Sequence, residues 1–207
     1  MMGLYSRHIF PRLMEWFMSR GEFHRLRDEL LHTAYGDVLE IGFGTGLNLS
    51  HYPSSISRLT TIDPAIVLPR TVKTRIAAVS FPVETMPISA EQLPYQDRRF
   101  DTVVSTWTLC TIPDPVQALR EVARVLKPTG RFLFLEHGRS DDPYVAEWQD
   151  RLNPIQNLIG CGCHLNRQID DLVENGGLSI VTLTRFDMHD VPRIGGTMYQ
   201  GSATPAT

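Results

Sequence analysis

Short apolar runs alternate with amphipathic stretches along most of this chain. Val38 to Ile41, Arg58 to Asp63, Val83 to Ile88, Phe100 to Thr106 and Phe132 to Glu136 are apolar or β-branched and read as parallel strands buried on both faces. Segments of helical period lie between them. Val116, Leu119, Val122, Ala123 and Leu126 share one face behind Asp114-Pro115, an N-cap with proline at the first helical position; Lys127-Pro128-Thr129-Gly130 stops that helix. Another helix is predicted from Arg70 to Ala78, behind Pro69. Two more are expected at Pro143 to Leu152 and at Asn166 to Glu174, the second ended by Gly176-Gly177. Leu178 to Phe186 and Thr197 to Ala203 read as closing strands, the last antiparallel, with a tail after Gly201 that is small and polar and expected to fray. Before the first strand, Ile9, Phe10, Leu13, Met14, Trp16 and Phe17 have helical spacing; Gly21 breaks that helix, and Phe23 to Leu31 forms the next.

This alternation predicts one α/β domain over residues 1–207: a Rossmann-like, doubly wound sheet of seven strands, mostly parallel with one antiparallel strand, in three α/β/α layers. Helices in 4–34 are expected to form a lid. The stretch 138–175 exceeds a plain crossover and reads as a substrate-side insertion.

The first strand runs directly into glycines. Asp37-Val38-Leu39-Glu40-Ile41-Gly42-Phe43-Gly44-Thr45-Gly46-Leu47-Asn48 is a strand, a side-chain-free turn and an expected helix start. Glycine lets a backbone turn sharply and a ligand come close, and such a junction presents free N–H groups to a nucleotide-type ligand. The dinucleotide fingerprint is G-x-G-x-x-G. Here the third glycine comes one residue early, and Glu40 stands two before the first. Asp63 ends the second strand about twenty residues past the first glycine, where a carboxylate can accept both ribose hydroxyls.

The E-x-G-x-G-x-G stretch, Asp63, Ala90-Glu91, Leu126-Lys127-Pro128-x-Gly130 and the strand order together resemble the class I S-adenosylmethionine-dependent methyltransferases over nearly the whole chain. The resemblance implies S-adenosylmethionine as cofactor. Gly42, Gly44 and Gly46 would line its methionine and ribose, Glu40 would offset its positive charge, and Asn48 and Pro64 would lie beside them. Asp63 would hold the ribose, Ser89, Ala90 and Glu91 the adenine, and Ser105 and Thr106 the methionine end. Many members carry Asp where Ser89 stands, so the adenine amino contact falls to Ser89 or Glu91. Downstream, Ser105-Thr106-Trp107-Thr108-Leu109-Cys110-Thr111-Ile112, Leu135-Glu136-His137 and Gly162-Cys163-His164-Leu165-Asn166-Arg167 resemble the alkyl thiol methyltransferase branch, the methyltransferase-like 7 group. Bacterial sulfide and methanethiol S-methyltransferases are similar to it. The implied reaction is methyl transfer to a small acceptor, a thiol or hydrogen sulfide first. A lipid amine, a quinone-type ring carbon, or a non-catalytic S-adenosylmethionine sensor are the alternatives.

In-line methyl transfer holds nucleophile, methyl and sulfur collinear, and such positioning can supply about 7–11 kcal/mol. The thiolate is the reactive form of a thiol acceptor, and a weakly acidic one needs a base within hydrogen-bond reach. His137 and His164 are the catalytic candidates, with a structural histidine capping a turn as the competing reading of each. Tyr5, Trp107, Trp148, Cys163 and Arg167 are expected at the substrate pocket. Core packing competes for both tryptophans, and an ion pair with Asp170 or Asp171 competes for Arg167. Cys161-Gly162-Cys163-His164 lacks a second Cys/His pair at zinc-finger spacing, so no metal is expected.

Composition narrows the partners. Net charge is −3, and no Lys/Arg run tracks phosphates, so nucleic acid is not expected. No apolar run reaches membrane-spanning length, no secretory leader is read, and the membrane anchor of some relatives is not expected to carry over. Three cysteines are not a disulfide framework, which points to a reducing, cytoplasmic setting.

Overall fold

In the computed structural model, which describes residues 3–65 and 67–206, a π-helical turn (Tyr5–Ile9) leads into α1 (Phe10–Met18) and α2 (Gly21–Leu31). The predicted span 1–207 thus includes residues 1, 2, 66 and 207, which lie outside the described residues. There follow β1 (Asp37–Ile41), β2 (Arg58–Ile62), α3 (Pro69–Ala77), β3 (Val83–Met86), β4 (Phe100–Thr106), α4 (Pro115–Val125) and β5 (Leu126–His137). The chain closes with α5 (Pro143–Ile159), α6 (Ile169–Asn175), β6 (Leu178–Asp187), α7 (Arg193–Gly196) and β7 (Thr197–Pro205). The seven strands order as β3-β2-β1-β4-β5-β7-β6. β1 to β5 pair in parallel, and β7 runs antiparallel to both neighbours.

Strand pleating sorts side chains onto two cores. Leu39, Ile41, Val103, Phe132 and Phe134 pack with Leu119 and Val122 of α4 and Val173 of α6. Val38, Leu59, Val104, Leu133 and Leu135 pack on the other face with Phe23, Leu26 and Leu30 of α2. The same alternation decides which polar residues share a face: Glu40, Thr106 and His137 fall on the α2 side, Ser105 and Glu136 on the α4 side.

Several elements differ from their sequence expectation. The helix predicted from Leu47 is one 3-10 turn, Leu49–His51, because Tyr52 is extended (ψ 139°) ahead of Pro53, as residues before proline prefer. α5 continues past Leu152 to Ile159 with Pro154 inside it. Leu126 pairs with Phe100, so the strand assignment starts before the Lys127–Gly130 excursion, and regular pairing resumes at Arg131 opposite Thr102. β7 does not fray after Gly201, since Thr204 and Pro205 pair with Ser179 and Leu178. The short α7 went unpredicted. Asp114 caps α4 as expected, its side chain accepting from Gln117 N at 3.0 Å. Among the described residues no helix is long and apolar enough to cross a membrane.

Candidate active site

A cavity of about 810 Å³ opens at the C-terminal ends of β1, β2, β4 and β5, the edge where open α/β sheets take their ligands. The glycine turn forms its floor. Gly42 (φ +76°) and Gly44 (φ +54°) both adopt the left-handed backbone that side chains resist. At Gly42 a Cβ would lie 2.0 Å from Thr108 Oγ1, whereas at Gly44 nothing lies within 4 Å. Gly42 is therefore required by packing, and Gly44 keeps space free.

Glu40 sits behind this turn, 1% exposed. Its two oxygens accept from Asn48 Nδ2 (2.9 Å) and Tyr52 OH (2.8 Å). Burial pushes its pKa up to about 7, against those two hydrogen bonds. Asn48 Nδ2 also donates to Thr106 Oγ1 (2.9 Å), and its Oδ1 accepts from Arg27 Nε (3.0 Å). Arg27, on α2, is 2% exposed and donates to Met18 O at 2.9 Å. Its guanidinium lies 4.7 Å from the ring centroid of Trp107, a residue held at φ +49° where β4 ends. Burial lowers the Arg27 pKa to about 10 while Glu40 opposes the shift. A buried carboxylate, amide and guanidinium thus share one network beneath the glycine turn.

Asp63 closes β2. Its Oδ2 accepts from Gly44 N and its Oδ1 from Ala65 N, both at 2.8 Å. Burial raises its pKa against these two bonds. The carboxylate is thereby fixed against the glycine turn with lone pairs to spare for a ligand. Pro64, Ser89 and Ala90 line the same cavity. Over the opening lies α1, contributing Met14, Phe17 and Met18. Glu15 of α1 holds Arg75 of α3 at 2.6 Å, and Arg75 also donates to Thr45 O at 2.8 Å, so α1, α3 and the glycine turn are tied together.

At the far end, His137 Nε2 lies 3.1 Å from Cys163 Sγ, and Cys110 adjoins both. Burial opposes protonation of His137, but the contact with Cys163 and the charge of Glu136 outweigh it and its pKa is raised. Contact with Cys110 and burial push the Cys163 thiol up.

Other expected site residues lie elsewhere. Ser105 points to the opposite face by strand parity and donates to Glu136 Oε1 at 2.6 Å, not toward a methionine end. Glu91 accepts from Asp114 N (2.8 Å) and from Ser89 Oγ (2.8 Å), which spends it on the approach to α4. Gly46 (φ +77°) turns the loop behind the cavity, against Phe43 and Leu49. Tyr5 donates to Ile159 O at 3.0 Å on the surface, tying the N-terminal turn to α5. Trp148 is 39% exposed and carries Arg151 over its ring. His164 is flanked by Asn157 Nδ2 (3.0 Å) and Asn153 Nδ2 (3.2 Å), and burial lowers its pKa. Arg167 donates to Leu109 O and Ile112 O (2.8 Å), pinning the loop after β4 in place of pairing with Asp170 or Asp171. Arg27, Tyr52, Cys110 and Glu136 were not singled out from sequence. Arg27 and Tyr52 lie in segments without a motif, and only the fold brings them to Glu40. Glu136 accepts from Thr108 N (2.8 Å) and Leu109 N (3.1 Å), and burial pushes its pKa up to about 7.

A doubly wound sheet with a glycine turn, a strand-end carboxylate and a covered cavity defines a nucleoside-cofactor enzyme of the methyltransferase class. Comparison with known proteins agrees. Residues 39–134 match the family model described as a methyltransferase domain. The chain is 31% identical over 187 residues to human thiol S-methyltransferase TMT1A, covering 87% of this chain and 72% of that protein. It is 32% identical to rat thiol S-methyltransferase TMT1B, over 70% of this chain and 61% of that one. A Burkholderia thailandensis 1,6-didemethyltoxoflavin-N1-methyltransferase, solved with bound S-adenosylhomocysteine, superposes with a TM-score of 0.69 at 17% identity, over 96% of this chain and 84% of that one, and so shares its fold. The chain belongs to the S-adenosylmethionine-dependent methyltransferase family, and its cofactor is S-adenosylmethionine. The residues present fit that cofactor: a buried carboxylate beside the turn, a strand-end carboxylate, and open space where Gly44 has no side chain.

Proposed function

We propose that this enzyme methylates a small thiol or hydrogen sulfide at sulfur. The observation that carries the reading is the sulfur-lined end of the cavity, where Cys110, Cys163 and His137 meet beyond the glycine turn. The similarity to thiol S-methyltransferases over most of the chain supports it.

S-adenosylmethionine supplies the methyl group on a sulfonium, already activated as a leaving group. The Glu40 carboxylate offsets positive charge beneath the turn, Asp63 holds the ribose hydroxyls, and Ser89 and Ala90 border the adenine. α1 acts as the lid, Phe17 and Met18 excluding water, which strengthens the electrostatic interactions inside; α2, expected to share that role, is instead a core helix, with Phe23, Leu26 and Leu30 packed on the sheet. The acceptor sulfur docks against His137 and Cys163. His137 Nε2 is the group placed to take its proton as the carbon–sulfur bond forms. Trp107 walls the space between donor and acceptor. His164, held by two asparagine side chains, positions the insertion without touching the acceptor. A reducing, cytoplasmic setting fits the three free thiols.

The test is a panel of small thiols, sulfide, amines and phenols at equal concentration, read as S-adenosylhomocysteine formed. At least a tenfold preference in kcat/KM for a thiol or sulfide is expected. Turnover of amines or quinol rings alone would overturn the acceptor and leave the cofactor in place.

A further inference from the structure

Cys110, His137 and Cys163 lie far apart in sequence, yet their ligand atoms all fall within 4.8 Å of one another. All three line the cavity. We propose that they bind one thiophilic divalent metal ion, zinc being the type case, with the coordination position that faces the cavity left for the acceptor sulfur. This rests on the thiol-acceptor reading above and deepens it, replacing proton transfer to His137 Nε2 by coordination through that nitrogen.

The donor set is the first reason. Two cysteine sulfurs and one imidazole with a fourth position open is an arrangement zinc takes in catalytic sites. The softness of thiolate ligands selects zinc over magnesium or calcium. Distance is the second. Metal–ligand bonds of about 2.0–2.3 Å place tetrahedral ligands about 3.3–3.8 Å apart. The His137–Cys163 separation of 3.1 Å is already near that range, and the whole cluster closes onto an ion with side-chain shifts of about an ångström.

Preorganisation is the third. His137 pairs with Met198 of β7, and two residues before it Leu135 pairs with Thr106 of β4, so the strand end that carries it is anchored from both neighbours. His164 N donates to Cys110 O at 2.9 Å, lashing the two cysteine-bearing loops together. Arg167 pins the first of those loops through Leu109 and Ile112, and the left-handed pair Cys161 (φ +53°) and Gly162 (φ +99°) turns the second inward. Among the described residues His137 Nδ1 has no hydrogen-bond partner, so the one polar hold on the ring is at Nε2, the atom that faces the ion. The expectation of no metal weighed only the contiguous Cys161–His164 spacing. Of that segment only Cys163 contributes here, with Cys110 and His137 arriving from other elements.

The chemistry balances without redox. The acceptor R–SH binds as a thiolate and its proton passes to solvent. The sulfur lone pair forms the S–CH3 bond as the sulfonium S–CH3 bond breaks, giving R–S–CH3 and S-adenosylhomocysteine. The neutral thioether is a weaker ligand than the thiolate and leaves. With the ion in place, the metal and not the imidazole generates the nucleophile.

The experiment uses the full chain, reduced and stripped with chelator, titrated with Co²⁺ and followed by absorption. One Co²⁺ per chain is expected, with thiolate-to-cobalt charge transfer and the intense visible bands of a tetrahedral site, displaced by Zn²⁺. Cys110→Ser and Cys163→Ser each should cut the charge-transfer intensity per bound Co²⁺ about twofold and weaken Zn²⁺ binding about a hundredfold or more, while Cys161→Ser leaves both unchanged. Calorimetry with S-adenosylmethionine on each variant confirms that it is folded. Ethanethiol should shift the cobalt bands. Absence of those bands, or bands indifferent to Cys110→Ser and Cys163→Ser, would overturn the site. Full-rate thiol methylation by chelator-stripped protein would overturn it while leaving the thiol acceptor standing. Bands that ignore ethanethiol would overturn the metal's hold on the acceptor.

Discussion

Glu40→Gln isolates the cost of placing an ionisable acid under the glycine turn. The wild-type carboxyl is buried at 1% exposure, and its pKa moves from an ordinary 4.5 to about 7. Folding therefore takes up a proton at Glu40 between those values. The sign follows: this contribution to stability is fully present below pH 4.5 and is lost as pH rises through about 7. The gap between 4.5 and about 7 corresponds to about 3 kcal/mol. Glutamine fills the same volume and does not titrate. It can accept from Asn48 and donate to Tyr52, so its remaining cost is a rearranged hydrogen bond of about 1 kcal/mol at any pH. Glu136 is also shifted to about 7, but it is common to both proteins and cancels in their difference. The assay is urea unfolding of wild type and Glu40→Gln without cofactor, at pH 5 and pH 8. The variant's stability relative to wild type should improve by about 2–3 kcal/mol from the lower pH to the higher. A difference that does not move with pH would refute a buried, proton-linked Glu40. S-adenosylmethionine, a cation, should bind the wild type more tightly as pH rises through about 7, and the variant should lack that rise.

Two further perturbations probe the same edge. Asp63→Ala removes the acceptor shared by Gly44 N and Ala65 N, so calorimetry should show S-adenosylmethionine binding weakened about ten- to a hundredfold, and unchanged affinity would displace the ribose from this carboxylate. Gly42→Ala drives a Cβ into Thr108 at φ +76° and should cost about 2–4 kcal/mol in thermal or urea unfolding. By contrast, Gly44→Ala meets nothing within 4 Å, so it should cost about 1–2 kcal/mol from backbone conformation while cutting cofactor affinity at least as much as Gly42→Ala does.

Legibility in the sequence followed the range of the interaction. β1, the glycine turn and Asp63 were readable because strand, turn and carboxylate follow one another within two consecutive parallel strands and their connection. α4 was readable because Asp114-Pro115 states its own start. Local reasoning failed where a distant partner decides. The family resemblance puts Ser105 with Thr106 at the methionine end, but pleat parity turns Ser105 to Glu136 on β5. Arg27 lies in an ordinary amphipathic helix, and nothing local says that its guanidinium is buried against Asn48 and Trp107. His137 is a candidate on its own strand end and Cys163 in its own loop, but nothing local says that they meet, or that Cys110 joins them; only the return of the insertion brings the three together. The helix expected to end at Leu152 bears Pro154 inside it and runs on to the cavity wall at Ile155 and Ile159.

The position of β7 carries a consequence for how the molecule assembles. It lies between β5 and β6 although both precede it, so β6 emerges with neither edge satisfied and waits for the hairpin to return. Until then the end of β5 is held on one side only. His137 gains its strand partner, Met198, when β7 inserts. The half of the sheet that carries the sulfur-lined corner therefore depends on the last strand in sequence, whereas β1 and β2, which carry the glycine turn and Asp63, pair without it.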